Sequence, residues 1–427
     1  MMNRKVCILG VGFKGMVLAM TFGQKQTTWG FDTNSTRITE IKEGLDRYHQ
    51  FSESEIEDCH LIVTDQVHEV KHCDFYIIHV PAGLKSGNQP DLSILKKACA
   101  DVGKMLTEGD IVIIEPTLYP GVTEEICLPI LEETSGLIAE IDFGIGYSPE
   151  RMGITDPLHD LTSIPKLVAC NNEEHLKIIA DVYETIVPAG VIASTNIKVT
   201  EAAKLFENIQ KDVNLGLVNE FAMILDKIEI DSLEVLDLAY SNKNVTPFKP
   251  GLVGGHHITV SPYYLSYLSE KLGQHPQLFA EGRRLNDAMP GFIAKKALQL
   301  TSHLGRGIYG EVATILGLSY KKNIGDMRGS RVIDLAQELE DFGMDLQLID
   351  PLTEAKDVFT HFGKSSVEMT QIQPASLVIL SVDHDEFQDL GDDFWVQILE
   401  KKSAIVDLTG TLDLEIFTKL GHLTWRF

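Results

Sequence analysis

Three glycines, Gly10, Gly12 and Gly15, follow the apolar run Lys5 to Leu9 in G-x-G-x-x-G spacing. Residues without a Cβ let the backbone approach a pyrophosphate, and a helix that starts there turns free amide donors and a positive dipole end toward the anion. The next strand-like run ends in Trp29-Gly-Phe-Asp32, which places a carboxylate 22 residues beyond Gly10. An acid at that distance suits the hydroxyls of an adenosine ribose and repels a 2′-phosphate, so NAD is expected rather than NADP. A glycine turn alone would be ordinary packing. Strand, spacing and acid together point to a dinucleotide.

Other groups with chemical reach stand where further strand-like runs stop. His79-Val80-Pro81-Ala-Gly closes one run, Ile114-Glu-Pro-Thr117-Leu-Tyr-Pro120-Gly a second, and Tyr147-Ser-Pro-Glu150-Arg151 a third. Ligands of a doubly wound sheet gather beyond the carboxyl ends of its strands, so these loops are expected to meet at one crevice. Glu150 would there act as a base or hold a catalytic water; taken alone it reads equally as a solvated loop glutamate. In Glu201-Ala-Ala-Lys204-Leu-Phe-Glu-Asn208, Lys204 and Asn208 are four apart and share a helix face. An ammonium and an amide so placed stabilise a developing alkoxide, although without context the pair is a plain helix surface. The loop Pro247-Phe248-Lys249-Pro-Gly251-Leu-Val-Gly254-Gly255-His256-His257 offers amides and a lysine to an anion. Its adjacent histidines raise the question of a metal. Loop neighbours seldom both ligate one ion, and no Cys or acid is suitably spaced, so no metal is expected.

These groups need a scaffold. Strand-like runs at Lys5 to Leu9, Thr28 to Phe31, Leu61 to Thr64, Phe75 to Val80, Ile111 to Ile114 and Phe143 to Gly146 alternate with helical patterns. Such alternation argues for an α/β domain with a parallel sheet covered on both faces. Val199 to Ala239 reads as helix with one weak break near Ile228 to Ile230, and a Pro- and Gly-rich loop, Asn242 to Pro262, leads to more helix ending near His303. Runs at Val312 to Leu316, Leu346 to Ile349, Leu377 to Ser381 and Ala404 to Val406, with a helical pattern from Arg331 to Phe342, repeat the opening logic. The expectation is two Rossmann-like doubly wound domains, residues 1–198 and 306–427, joined by a central all-helical domain, residues 199–305, with a long connecting helix.

Composition sets limits. A chain of 427 residues exceeds what one core supports, and 44% hydrophobic with 23% charged residues excludes a disordered or collagen-like chain. A net charge of −25 opposes nucleic acid and anionic membrane surfaces, so neither is expected as a partner. Anionic ligands must then be met by local cations, among which Lys249, Lys321 and Arg328 are the candidates for diphosphates. The six cysteines lie within the first 170 residues without a C-x-x-C pair, which fits a reduced, cytoplasmic setting. Residues 6 to 23 are mostly apolar, but Lys14 interrupts them, and neither a signal peptide nor a membrane span is expected.

Taken in order, these motifs resemble the UDP-glucose/GDP-mannose dehydrogenase family, especially its bacterial branch acting on UDP-N-acetylhexosamines or their uronates. The likeness extends through Pro90-Asp-Leu-Ser93, Pro262-Tyr-Tyr-Leu265, Arg284-Leu-Asn286-Asp, Gly317-Leu-Ser-Tyr320-Lys321, Asp326-Met-Arg328 and His384-Asp-Glu-Phe387. It implies an NAD domain, a central dimerisation domain giving a homodimer, and a C-terminal nucleotide-sugar domain, in an enzyme of glycan precursor synthesis. Members typically oxidise a hexose C6 alcohol to a carboxylate with two NAD through a cysteine-bound thioester. By resemblance, Glu150 is the acid/base group, Thr117 lies beside the nicotinamide and catalytic water, and Lys204 and Asn208 surround the reacting oxygen. Arg37, Val80, Pro81 and Arg328 would join Gly10, Gly12, Gly15 and Asp32 around NAD. Arg151, Phe248, Lys249, Gly251, Gly254, Tyr320 and Lys321 would join Glu150, Lys204 and Asn208 around the sugar nucleotide.

One departure stands in the catalytic loop. His257 occupies the family's cysteine position and Ser261 its aspartate position, and no cysteine follows Cys170. Imidazole accepts protons near neutral pH but is a poor group for holding a hemiacetal, so a two-electron oxidation to a ketone or aldehyde is expected, with His257, Lys204 or Glu150 taking the proton. A four-electron enzyme using a hydrated aldehyde, or a silent subunit that only binds the ligands, are the alternatives.

Overall fold

The computed structural model describes residues 4–48, 50–151, 161–255, 257–388 and 390–427. His256 thus lies outside the described residues. The chain forms two compact units, Met1–Glu207 with Tyr263–Gln274, and Asn208–Pro262 with His275–Phe427.

The first unit holds β1 (Val6–Leu9), β2 (Thr28–Phe31), β3 (Leu61–Thr64), β4 (Phe75–Ile78), a hairpin of β5 (Gly83–Lys85) and β6 (Gln89–Asp91), β7 (Ile111–Ile114), β8 (Gly144–Tyr147), β9 (Lys166–Ala169) and β10 (Val191–Ser194). Eight strands make one sheet in the order β10-β9-β8-β7-β4-β1-β2-β3. Every pairing is parallel except β8 with β9, where Tyr147 meets Ala169 antiparallel. Strands β1, β4 and β7 read Val-Cys-Ile-Leu, Phe-Tyr-Ile-Ile and Ile-Val-Ile-Ile, and all twelve residues are buried. Uninterrupted apolar runs of this kind belong to strands covered on both faces. The chain order reverses between β1 and β4, the point where such sheets open a crevice.

Helix Phe13–Gly23 leaves the glycine turn and is buried from Lys14 to Gly23. Helix Ile197–Asp226 runs for 30 residues into the second unit. It stops where the sequence weakens: Glu229 adopts φ 58°, and Asp231 caps helix Ser232–Tyr240 by accepting from the Leu233 and Glu234 amides. Helices Ser261–Lys271 and Leu278–His303 follow.

The second unit has a five-stranded parallel sheet of β11 (Val312–Leu316), β12 (Asp345–Ile349), β13 (Ala375–Leu380), β14 (Leu399–Asp407) and β15 (Leu423–Arg426), ordered β12-β11-β13-β14-β15. Its core joins helix Leu278–His303, through Met289, Ile293 and Ala297, to Ile315, Leu335, Leu377 and Val406. These helices and this sheet therefore bury one common apolar interior.

The two α/β sheets and the long helix match the expected fold class. Strands β9, β10, β15 and the hairpin escape the sequence pattern. The hairpin strands are three residues long, and β10 is largely exposed.

The glycines of the first turn differ in what they require. Gly10 has φ 102° and a Cβ there would lie 2.2 Å from the His79 carbonyl oxygen, whereas a Cβ on Gly12 meets nothing within 4 Å. Gly10→Ala is expected to lower stability by about 2–4 kcal/mol in chemical denaturation. Gly12→Ala should stay within about 1 kcal/mol of wild type yet weaken NAD binding at least about tenfold in a fluorescence titration, because the space it fills is the one a pyrophosphate needs. Equal NAD affinity in Gly12→Ala would remove the turn from the cofactor site.

Candidate functional site

The glycine turn is braced from behind. The Gly10 amide donates to the Phe31 carbonyl at 2.7 Å, and a Cβ on Gly15 would collide with the Gly10 carbonyl at 1.9 Å. No side chain caps the helix that starts at Gly12, so its first-turn amides keep their donors for an anion. Asp32, at the end of β2, accepts from the Val11 amide at 3.0 Å and the Asn34 amide at 2.9 Å. Each carboxylate oxygen retains a lone pair for a ribose hydroxyl. Arg37 is buried with its Nε donating to the Val11 carbonyl at 3.1 Å and a terminal nitrogen to Asp46 at 2.9 Å. The geometry thus makes Arg37 a strut under the turn. Val80 and Pro81 continue from His79, whose carbonyl faces Gly10.

A buried polar cluster lies beneath that turn. Glu115, which follows β7, is fully buried and accepts from Lys166 at 2.7 Å and Tyr183 at 2.9 Å, with His79 Nδ1 at 2.7 Å. Burial pushes its carboxyl upward, but the Lys166 ammonium and the His79 imidazole more than reverse this and hold it at about 2. Sequence reasoning passed over Glu115; an acid closing an all-apolar strand was the available signal.

Glu150 is likewise buried, and Lys14 donates to its Oε2 at 2.5 Å. Burial raises the Glu150 carboxyl, Lys14 and then Lys204 lower it, and the net shift is below the usual range. The residue is therefore an ionised acceptor held between two cations. Lys14 entered the sequence reading only as an interruption of an apolar run. Within the first unit Lys204 also lies 3.7 Å from Glu207, which takes a 2.7 Å bond from Arg151. Arg151 donates as well to the Pro165 carbonyl at 2.6 Å. Glu201, one turn before Lys204, accepts from the Gly121 amide at 2.6 Å and from the Thr123 amide and hydroxyl at 3.0 and 2.7 Å. It ties the loop bearing the buried Thr117 to the helix. Burial raises its carboxyl to about 7 against those donors.

In the second unit, the Asn208 amide donates to Ser261 Oγ at 2.9 Å, and Ser261 donates to the His257 carbonyl at 2.8 Å. The glycine loop is anchored at Gly251, whose amide donates to Asn219 at 2.7 Å. Asn219 donates to Asn286 at 2.9 Å, Asn286 to Asp212 at 3.0 Å, and Arg283 pairs with Asp212 at 2.6 Å. The loop lies flat on its support: a Cβ on Gly254 would come within 2.8 Å of the Gly329 carbonyl and 2.9 Å of Tyr320 Cβ. Phe248 is half-buried, with its backbone bonded to the Tyr240 hydroxyl. Lys249 and Lys321 are exposed, and Arg328 forks onto Asp326 with bonds of 2.6 to 3.1 Å. A surface cleft of about 680 Å³ bordered by Asp226, Lys296, Trp425 and Arg426 contains none of these residues.

Comparison with known proteins divides the chain into three segments. Three models of the UDP-glucose/GDP-mannose dehydrogenase family match the chain: the NAD binding domain over residues 4–187, the central domain over 198–288 and the UDP binding domain over 314–414. The chain is 38% identical to Protein CapL of Staphylococcus aureus, with 100% of each covered. It is 39% identical to the UDP-N-acetyl-D-glucosamine 6-dehydrogenase of Salmonella typhi, over 96% of this chain and 97% of that one. Among solved structures, the UDP-D-ManNAc dehydrogenase of Pyrococcus horikoshii superposes with a TM-score of 0.87 at 25% identity, covering 99% of this chain and 98% of its own.

The Lys14–Glu150 pair makes a pH prediction. Removing the ammonium with Lys14→Met leaves burial less opposed, so the Glu150 carboxyl rises. The acid limb of the kcat/KM profile should move upward by about one pH unit or more, with activity at neutral pH down about 10- to 1000-fold. An unmoved limb would show that this ion pair does not set the protonation of the group that titrates there.

Proposed function

Since the chain belongs to the UDP-glucose/GDP-mannose dehydrogenase family and is an NAD-dependent nucleotide-sugar dehydrogenase, we propose that it oxidises the C6 alcohol of a UDP-N-acetylhexosamine. The observation that carries the chemistry is Glu150, buried and ionised between Lys14 and Lys204. The cofactor site fits NAD, because the uncapped helix start, the open space at Gly12 and the spare lone pairs of Asp32 match a pyrophosphate and an unphosphorylated ribose. Bound there, NAD supplies the hydride acceptor.

The residues of the chain handle the proton and the charge. Loss of hydride from an alcohol leaves a proton to be taken, and Glu150 is the ionised acceptor assigned that role, directly or through a water held by Thr117. Lys204 and Asn208 are assigned to the developing alkoxide, with the Asn208 amide oriented by Ser261. Tyr320, Lys321, Phe248, Lys249, Gly251 and Gly254 are assigned to the nucleotide sugar, and Arg328 to NAD.

At His257 the proposed reaction parts from the family pattern. Imidazole accepts a proton but does not form the thioester that carries a second oxidation, so the proposed product is the aldehyde and one NADH per sugar. Product mass and NADH yield with a panel of UDP-sugars test this. Loss of two hydrogens supports it; a carboxylate with two NADH refutes it and favours the hydrated-aldehyde route. NAD binding without turnover of any sugar favours the silent subunit.

We also propose a homodimer through helix Ile197–Asp226. Leu217, Phe221 and Ile224 are 63%, 39% and 57% exposed and fall on one helical stripe. Light scattering should give twice the 47.4 kDa chain mass, falling to one chain on joint Leu217→Glu and Phe221→Glu substitution. A wild-type monomer would end this proposal. Among the described residues no helix is long and apolar enough to cross a membrane, and the six cysteines are free. The proposed setting remains the reducing cytoplasm.

A further inference from the structure

We propose that the first unit holds a divalent metal site formed by Cys170, His175 and Glu140, with donors suited to zinc. A thiol sulfur, an imidazole nitrogen and a carboxylate oxygen from these residues all lie within 4.8 Å of one another, and His175 Nδ1 is 3.3 Å from Glu140 Oε2. Tetrahedral zinc takes such donors at about 2.0–2.3 Å, which separates them by roughly 3.3–3.8 Å, so closure shortens a separation by at most about 1.5 Å. Thiolate and imidazole favour zinc over magnesium or calcium.

Each donor is held by its own local structure. Cys170 follows β9 with its amide on the Ser194 carbonyl at 3.2 Å. The Asn172 side chain accepts from the Glu174 and His175 amides at 2.9 and 3.1 Å, which starts helix Glu173–Glu184 and fixes His175 in its first turn. Glu140 adopts φ 64°, an unusual conformation for this residue type, with its amide on the Phe143 carbonyl at 2.8 Å. Gly144 completes the cradle, since a Cβ there would sit 2.8 Å from the His175 ring. Only glycine admits the imidazole at that place.

Charge and access agree with a cation. Thiolate and carboxylate together balance a dication. The sulfur is buried, while the His175 and Glu140 side chains retain 18% and 29% exposure, so a fourth position is left for water. Burial pushes the Cys170 thiol up to about 12, so the metal-free sulfur keeps its proton. Formation of the sulfur–metal bond sends that proton to solvent, with no change of oxidation state. The cluster sits by Gly144, the opposite end of β8 from Tyr147 and Glu150, and its role is structural: it pins the loop before β8 to the β9 turn. This inference does not depend on the proposed reaction.

The test uses the full chain stripped with a chelator, then titrated with cobalt(II), and with zinc in competition against a chromophoric chelator. One equivalent should bind, with a thiolate-to-cobalt charge-transfer band that zinc abolishes. Cys170→Ser should lose the band, and His175→Ala and Glu140→Gln should each weaken zinc about 10- to 100-fold. If Cys170→Ser fails to fold, the wild-type spectrum and the other two variants decide. Absence of stoichiometric binding, a band that persists without Cys170, or unchanged affinity in the His175 and Glu140 variants overturns the site.

Discussion

Everything around the dinucleotide turn depends on placing opposite charges together out of water. An isolated buried carboxylate costs several kcal/mol and would protonate instead. Glu150 escapes this because Lys14 reaches it from the first turn of the helix that the glycines allow. Lys14 in turn is tolerated inside an apolar helix because Glu150 is there. Neither residue suits its place without the other. The Glu115 cluster obeys the same rule one layer lower, with Lys166, His79 and Tyr183 meeting a carboxylate that no solvent reaches.

The second unit solves a different problem, the support of an irregular glycine loop. Leu252 and Val253 pack inward, while the glycine positions on either side are held by backbone hydrogen bonds and close backbone contact. Asn219 supplies the first at Gly251, and Gly329 with Tyr320 supplies the second at Gly254 and Gly255. The relay from Asn219 through Asn286 to the buried Asp212–Arg283 pair fixes the amide that anchors the loop. Ser261 does comparable work at the other end, holding Asn208 and the His257 backbone. A serine there accepts one bond and donates one without bringing charge.

The match between motif and fold was close where the motif is local. The turn at Gly10, the strands β1, β2, β4, β7 and β11, and the break after Asp226 are each set by residues within a few positions of one another. Their apolar runs and glycine or cap residues are visible in one dimension. The edge strand β10, Val-Ile-Ala-Ser, is largely exposed and is held by pairing with β9.

From the sequence alone came the α/β class, NAD rather than NADP, the long helix and the roster of polar residues at strand ends, because strand periodicity, glycine spacing and an acid after β2 are properties of neighbours in the chain. Only the tertiary structure decided which of those residues hold one another. Lys14 and Glu150 are 136 positions apart in the chain, and Glu115 finds Lys166 across 51. Arg37 engages Val11 and Asp46, 26 and 9 positions away in the chain. A buried charge shows its purpose only through its partner, and the sheet order that brings the partners together is not written in local spacing.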